Sequence, residues 1–233
     1  MEKESRSAEQ RQRPQLILLD VYDTLLRMDE VERKVNNLLH SKHGYTLWFE
    51  LFMQYCFVDN AIARFNNFRS IAHATMQMTS NILDREVDDH DIESVLDLLK
   101  HLPVHEGVQK GLSTLNDMGL RIAALTNSPE ATVCERMEMT GLISYFEQVL
   151  SAEHVGKYKP SLAVYEWAIK KLDVEPGRVL LVSTHGWDLA GGQNAGMQTA
   201  HIRQPRQMLY PLAPPPDYHC DHLPDLARQL AQS

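Results

Sequence analysis

Three short apolar runs do most to limit what this chain can fold into: QLILLD (15–20), RIAALT (121–126) and RVLLVS (178–183). Each is continuous rather than alternating, as suits a strand buried on both faces. Each also stops abruptly in polar residues: Asp20 to Thr24, Thr126-Asn127-Ser128, and Thr184-His185-Gly186. QVLS (148–151) and QTAHI (198–202) are weaker strand candidates. Helical patterns separate the runs. Val108, Leu112 and Leu115 share a face that Gly119 stops; Tyr165, Ala168, Ile169 and Leu172 share another, entered at Pro160 or Ser161. Strands alternating with helices predict an α/β fold with a doubly wound parallel sheet.

Residues 27–102 break the alternation. Leu47 to Phe68 is rich in aromatic residues and Met, and Ile92, Val95, Leu96 and Leu99 form a stripe behind Asp88 and Asp89, which suit helix caps. The expectation is an all-helical cap domain over 27–102, inserted directly after the first strand. The core domain is then 14–26 with 103–233. Residues 1–13 read as a disordered leader, 209–220 as a proline-rich surface loop, and 224–231 as a short closing helix.

Charge and composition narrow the function classes. The 23 basic residues face 31 acidic ones among 233, a formal net charge of −8, and no Lys/Arg run stands out. That argues against nucleic acid as a partner and against a basic membrane-binding face. No apolar run approaches the roughly 20 residues that span a bilayer. The polar start, MEKESRSAEQRQRP, lacks the apolar segment of a secretory signal. Cys56, Cys134 and Cys220 are scattered and odd in number. They read as buried thiols in a reducing cytoplasm.

In an open parallel sheet the C-terminal strand ends lie on one edge, where ligands bind. Asp20, Thr24, Thr126, Asn127, Ser128, Ser183, His185 and Asp188 therefore converge. Lys159 joins them, held in an extended backbone by Pro160. The set contains a nucleophile, a cation and several hydrogen-bonding groups.

These residues resemble the haloacid dehalogenase superfamily over nearly the whole chain from Gln15, and within it the (S)-2-haloacid dehalogenase branch. Asp20 and Thr24 match the first motif. Phosphatase members carry a second Asp two residues after the nucleophile; here that position is Tyr22. The dehalogenase branch reads D-x-Y-G-T, so DVYDT is similar to it, with Asp23 in place of glycine. Thr126-Asn127 matches the second motif, and Lys159 of Y-K-P with Tyr165 the third. The fourth, S-x-N-x-W-D, is matched by Ser183, Trp187 and Asp188, with His185 where asparagine would stand. A third departure lies in the cap. The branch places an arginine after a tryptophan to hold the departing halide, and here Trp48 is followed by Phe49. Arg64 and Arg69 lie further along and could substitute.

The resemblance implies a cofactor-free and metal-free hydrolase that releases halide from a 2-haloacid with inversion, through an ester on Asp20. Lys159 would keep Asp20 ionised. Thr24, Thr126 and backbone N–H groups would hold the substrate carboxylate or an oxyanion. Asn127 would hydrogen-bond the halide. Asp188, helped by Ser183, would orient or deprotonate water; His185 could do the same or serve as a neutral spacer holding Asp188. Tyr22, Trp48, Phe49, Phe57 and Tyr165 would wall the pocket. Asp23 is expected to accept only turn or helix-start hydrogen bonds. Dimerisation is implied by the resemblance alone.

Three other readings stand beside this one. The same ester chemistry could act on another 2-substituted carboxylic acid, such as a strained amine ring, which needs no halide-binding arginine. A Mg²⁺-dependent phosphatase is opposed by Tyr22. A catalytically inert binding protein on this fold is opposed by the intact Asp20, Lys159 and Asp188.

Overall fold

A computed structural model describes residues 12–232. Most of the expected leader, residues 1–11, lies outside the described residues. The strands are β1 (Leu16–Leu19), β2 (Arg121–Thr126), β3 (Gln148–Ser151), β4 (Val179–Ser183), β5 (Gln198–Ile202) and β6 (Tyr218–Cys220). They form one six-stranded sheet in the order β3-β2-β1-β4-β5-β6, and every neighbouring pair is parallel. β1 is central, with Leu16 opposite both Arg121 and Val179. The chain order reverses at β1, so a crevice opens at the C-terminal ends of β1, β2 and β4.

Continuous apolar runs are needed because both sheet faces are covered. Ile17, Leu19, Ile122, Ala124, Leu180 and Val182 point into one core, while Leu16, Leu18, Ala123, Leu125 and Leu181 point into the other. The first core is closed by α5 (Val108–Asp117), α6 (Glu130–Met139) and α9 (Leu223–Ala231). The second is closed mainly by α7 (Leu162–Leu172), through Val164, Tyr165, Ala168 and Leu172. α8 (Gly186–Asn194) follows β4. α5 ends as its sequence suggests, with Gly119 at φ +76° just beyond it.

Four helices stand between β1 and α5: α1 (Asp29–Leu38), α2 (Gly44–Ala61), α3 (Phe68–Ile82) and α4 (Asp89–Leu98). Asp88 caps α4 by accepting the Asp91 N–H, and Asn67 caps α3 through Ser70. α1 packs on α2 and α4, and α3 packs on α2 and α4. Val31, Val35, Trp48, Phe52, Ile92 and Val95 from these helices belong to the same buried cluster as one face of the sheet. Among the described residues no helix is long and apolar enough to cross a membrane.

The 209–220 segment corrects the sequence reading. Its last three residues are β6, which extends the sheet beside β5, with Tyr218 and Cys220 buried and His219 exposed. Before β6 the chain crosses the N-terminus of α8 so closely that a Cβ on Gly186 would collide with the backbone of Met208 and Leu209. Glycine is required there to admit the crossing chain.

Candidate active site

Asp20 follows β1 directly, and its N–H still donates to the Val182 carbonyl at 3.0 Å. Sheet pairing thus fixes the backbone of the acid. Its Oδ1 accepts from Lys159 Nζ at 2.8 Å, and its Oδ2 from the Thr24 hydroxyl at 2.9 Å. Thr24 in turn accepts the Thr184 N–H at 3.1 Å. Lys159 is fully buried, and its ammonium donates three times: to Asp20, to Asp188 Oδ2 at 2.8 Å and to the Leu125 carbonyl at 3.0 Å. Its backbone N–H donates to Asn127 Oδ1 at 2.8 Å. The Lys159–Pro160 peptide is cis.

Charges buried this deeply persist only when paired. Burial alone pushes the Asp20 carboxyl up. The charges of Lys159 and His185, with hydrogen bonds from Lys159 and Thr24, outweigh that and hold it below the usual carboxylate range. For Lys159 burial pulls down, but Asp188 and Asp20 raise it above the usual lysine value. The pair is ionised on both sides at neutral pH.

Asp188 has no free oxygen lone pair pointed at open space. Oδ2 accepts from Lys159 and Oδ1 from the Tyr165 hydroxyl at 2.6 Å, and the residue is 0% exposed. Tyr165 departs from its expected place on the pocket wall. It lies buried in the core beneath α8, where its helix register puts it with Val164 and Ala168. Burial and Asp188 raise its phenol well above the usual range, so it stays a donor. Ser183 also differs: its hydroxyl accepts the His185 N–H at 3.1 Å and so shapes the turn after β4. Thr24 and Thr126 are likewise committed, Thr24 to Asp20 and Thr126 to the Ser128 N–H at 3.1 Å.

Asp20, 5% exposed, faces a chamber of about 50 Å³, lined also by Tyr22, Trp48, Phe49, Thr126, Asn127, Lys159, His185 and Trp187. Among the described residues Asn127 Nδ2 is buried there without a partner. Burial pushes the Tyr22 phenol up to about 12. An outer cavity of about 690 Å³ adjoins this chamber and shares Tyr45, Phe49, Met53 and Trp187 with it. Phe57 lines the outer cavity, with its ring edge-on to Trp187. Arg64 and Arg69 line neither; Arg69 pairs with Glu93 and Asp97 on the surface.

Two of the three departures from the family pattern, His185 and Phe49, are in contact. The Phe49 ring stacks on His185 at 5.8 Å between centroids and 26° between planes. Trp187 stacks on the same imidazole at 5.1 Å and 16°. His185 Nε2 lies 3.7 Å from Asp20 Oδ2 and 3.3 Å from the Tyr22 carbonyl. Its Nδ1 is 3.2 Å from Gln207 Oε1, and Gln207 Nε2 donates to Asp23 Oδ2 at 2.9 Å.

Asp23 therefore overturns its expected role. Its backbone takes the turn, at φ +64° with its N–H donating to the Leu26 carbonyl. Its carboxylate, however, reaches Gln207 and lines both chambers. Burial raises its pKa. Gln207 was not legible as a site residue, because it lies 184 positions from Asp23 in a segment without a motif.

A family model described as haloacid dehalogenase-like hydrolase matches residues 14–196. The chain is similar to the (S)-2-haloacid dehalogenase of Pseudomonas sp. strain YL, 24% identical over 209 residues, covering 89% of this chain and 90% of that protein. It is similar also to the (S)-2-haloacid dehalogenase of Pseudomonas fluorescens, 23% identical over 219 residues, with coverage of 93% and 96%. A solved structure of L-2-haloacid dehalogenase from Xanthobacter autotrophicus, with chloropropionic acid covalently bound, has the same fold. Its TM-score is 0.84 at 20% identity, over 94% of this chain and 98% of that one. The strand order, the acid at the end of β1 and the matched family model together place this chain in the haloacid dehalogenase-like hydrolases.

Proposed function

We propose that the chain hydrolyses the carbon–halogen bond of an (S)-2-haloacid, without a cofactor, through an ester on Asp20. The observation that carries this is the pairing of an ionised, buried Asp20 with Lys159 at 2.8 Å, beside Tyr22 rather than a second acid. A desolvated carboxylate fixed by two donors is an activated nucleophile. A halide departs without a proton, so no acid is needed at position 22. An Asp20 oxygen attacks the carbon bearing the halogen, and the carbon–halogen electron pair leaves with the halide. Configuration inverts at that carbon. Water then attacks the ester carbonyl, giving the 2-hydroxy acid and free Asp20. The Asn127 Nδ2, which finds no partner among the described residues, supplies a donor to the substrate or the leaving halide. Residues 27–102 serve as the cap that closes this chamber. The names of the similar proteins support the same chemistry. The proposal includes a homodimer in the cytoplasm, on the family resemblance.

The phosphatase reading fits this donor set poorly. The space where a cation would neutralise Asp20 and Asp188 is held by Lys159 Nζ, 2.8 Å from each. Ser183 is turned into its own loop. A strained cyclic amine next to a carboxylate remains the second reading. Phe49 favours it, and so does the outer cavity, where Asp29, Glu32 and Glu50 face one arginine, Arg206, already paired with Glu32.

The test is chloride release from (S)-2-chloropropionate in the presence of a chelator. Release should survive chelation, and Asp20→Asn should reduce it to the uncatalysed rate. Chelator-sensitive phosphate release from a phosphate ester, with no chloride from the haloacid, would refute the proposal.

A further inference from the structure

We infer that Asn60, near the end of α2, is a positioning residue for the reaction: its side-chain amide clasps the backbone of Tyr158 and so sets Lys159 against Asp20 and turns Asn127 toward the inner chamber. The inference rests on the ester chemistry proposed above and adds to it a residue from outside the strand ends.

Lys159 lies in the loop between β3 and α7. The core grips this loop from one side. Pro160 packs on α8 so closely that a Cβ on Gly191 would come within 2.8 Å of it. The Asn127 side chain, just past β2, accepts the Lys159 N–H at 2.8 Å. From the other side comes Asn60. Its Nδ2 donates to the Tyr158 carbonyl at 2.8 Å, and its Oδ1 accepts the Tyr158 N–H at 2.9 Å. One amide thus pairs with both backbone groups of one residue, as a neighbouring strand would. A backbone N–H only donates and a carbonyl only accepts, so the amide cannot be turned over without losing both bonds.

The surrounding contacts seat the same residue. Asp59 accepts the Asn66 N–H at 2.7 Å, and the Asn66 carbonyl accepts the Tyr158 hydroxyl. The Phe65 ring stacks on Tyr158 at 5.0 Å. Lys157 Nζ donates to the Asn60 carbonyl at 3.2 Å.

Peptide planarity carries the effect to the site. The Tyr158 carbonyl and the Lys159 N–H belong to one rigid peptide unit. Asn60 holds its oxygen and Asn127 holds its hydrogen. With Asn127 Oδ1 taken in this way, Nδ2 is the atom left for the chamber. The same peptide unit ends at the Lys159 Cα, from which the side chain reaches Asp20 and Asp188 at 2.8 Å each. Without the clasp this plane can rock, and the ammonium and the Asn127 amide shift together. Asn60 itself lines neither cavity, so its influence on the reaction passes through residues 158 and 159.

Two variants test this. Asn60→Leu removes both bonds at nearly constant size. Asn60→Asp keeps an acceptor for the Tyr158 N–H but sets an oxygen against its carbonyl, with Lys157 close by to balance the charge. Asn60 is half-buried near a helix end, and both variants should fold. Single-turnover chloride release from saturating (S)-2-chloropropionate should slow about tenfold or more in each, against the roughly 100-fold that a 1 Å displacement can cost. The acid limb of that rate should move to higher pH, because a loosened ammonium depresses the Asp20 carboxyl less. Lys159, Thr24 and His185 face Asp20, with Asp188 beyond the lysine, and of these the clasped loop carries Lys159. A merely structural Asn60 would lower the urea midpoint and leave the rate and the acid limb of the folded protein unchanged; that result overturns the inference. Collapse of both variants would make Asn60 a folding residue and overturn it too. A wild type that releases no chloride would instead strike the underlying function. The clasp then has a readout without substrate: the ¹⁵N signal of the buried Lys159 ammonium, identified by its loss in Lys159→Arg. Its protons should exchange slowly in the wild type and at least about tenfold faster in Asn60→Leu, and equal exchange in both would refute the coupling.

Discussion

Lys159 concentrates the energetics of the site in one side chain. A buried ammonium is costly unless each N–H finds a partner, and here all three do, two of them on carboxylates. Removing it leaves Asp20 and Asp188 buried on either side of a neutral gap. Lys159→Met should therefore cost about 3–5 kcal/mol of unfolding free energy in urea at neutral pH. It should also abolish ester formation, because one of the two acids will take up a proton. A variant as stable as the parent would show that the carboxylates do not depend on the lysine. The sequence makes Lys159 visible because a lysine before proline, between strands with polar ends, has few structural reasons to exist. Asp23 is the contrary case. Its local signal, an acid in a turn, is correct for its backbone and says nothing of the carboxylate, whose partner is set by tertiary packing across the sheet edge.

At the level of elements, the long strands were legible because burial on both faces demands continuous apolar runs, and β2 coincides with RIAALT. β6 was not. It has three residues, lies at the sheet edge after three prolines and alternates buried and exposed, so its apolar signal is too short to separate from loop. The same crossing segment carries Gln207, which explains why its contact with Asp23 was not legible either. α2 raises the opposite problem, since it is apolar nearly all round and its periodicity does not say which rings face the site. The structure puts Phe49 on the wall shared by the 50 Å³ and 690 Å³ cavities. Phe49→Ala should join them. In a series from 2-chloropropionate to 2-chlorohexanoate, kcat/KM for the longer acids should rise relative to the shortest. An unchanged ratio would place the chain-length limit elsewhere.

Across the whole molecule, the parallel sheet turns several separate strand ends into one site, and the ionisation of that site is tied to folding. Asp20 has its folded pKa lowered, so its contribution is present above the usual carboxylate value of about 3.9 and is lost as pH falls through the lower folded value. Asp23, raised by burial, works the other way and softens this acid limb. Lys159 is raised, so its contribution is present below about 10.4 and lost as pH climbs through the higher folded value. Tyr22 and Tyr165 act with it: burial raises both, and the unfolded chain releases their protons near pH 10 while the folded chain keeps them. Above pH 10 the folded state therefore binds more protons than the unfolded one, and stability must fall with pH. Unfolding free energies from urea titrations between pH 3 and pH 11 should show a plateau around neutrality. The alkaline limb should involve more than one proton, and Lys159→Met should lose one proton from it. A curve that stays flat to pH 11 would mean that the lysine and the phenols titrate alike in both states, and that the buried charge pair is not tied to the fold.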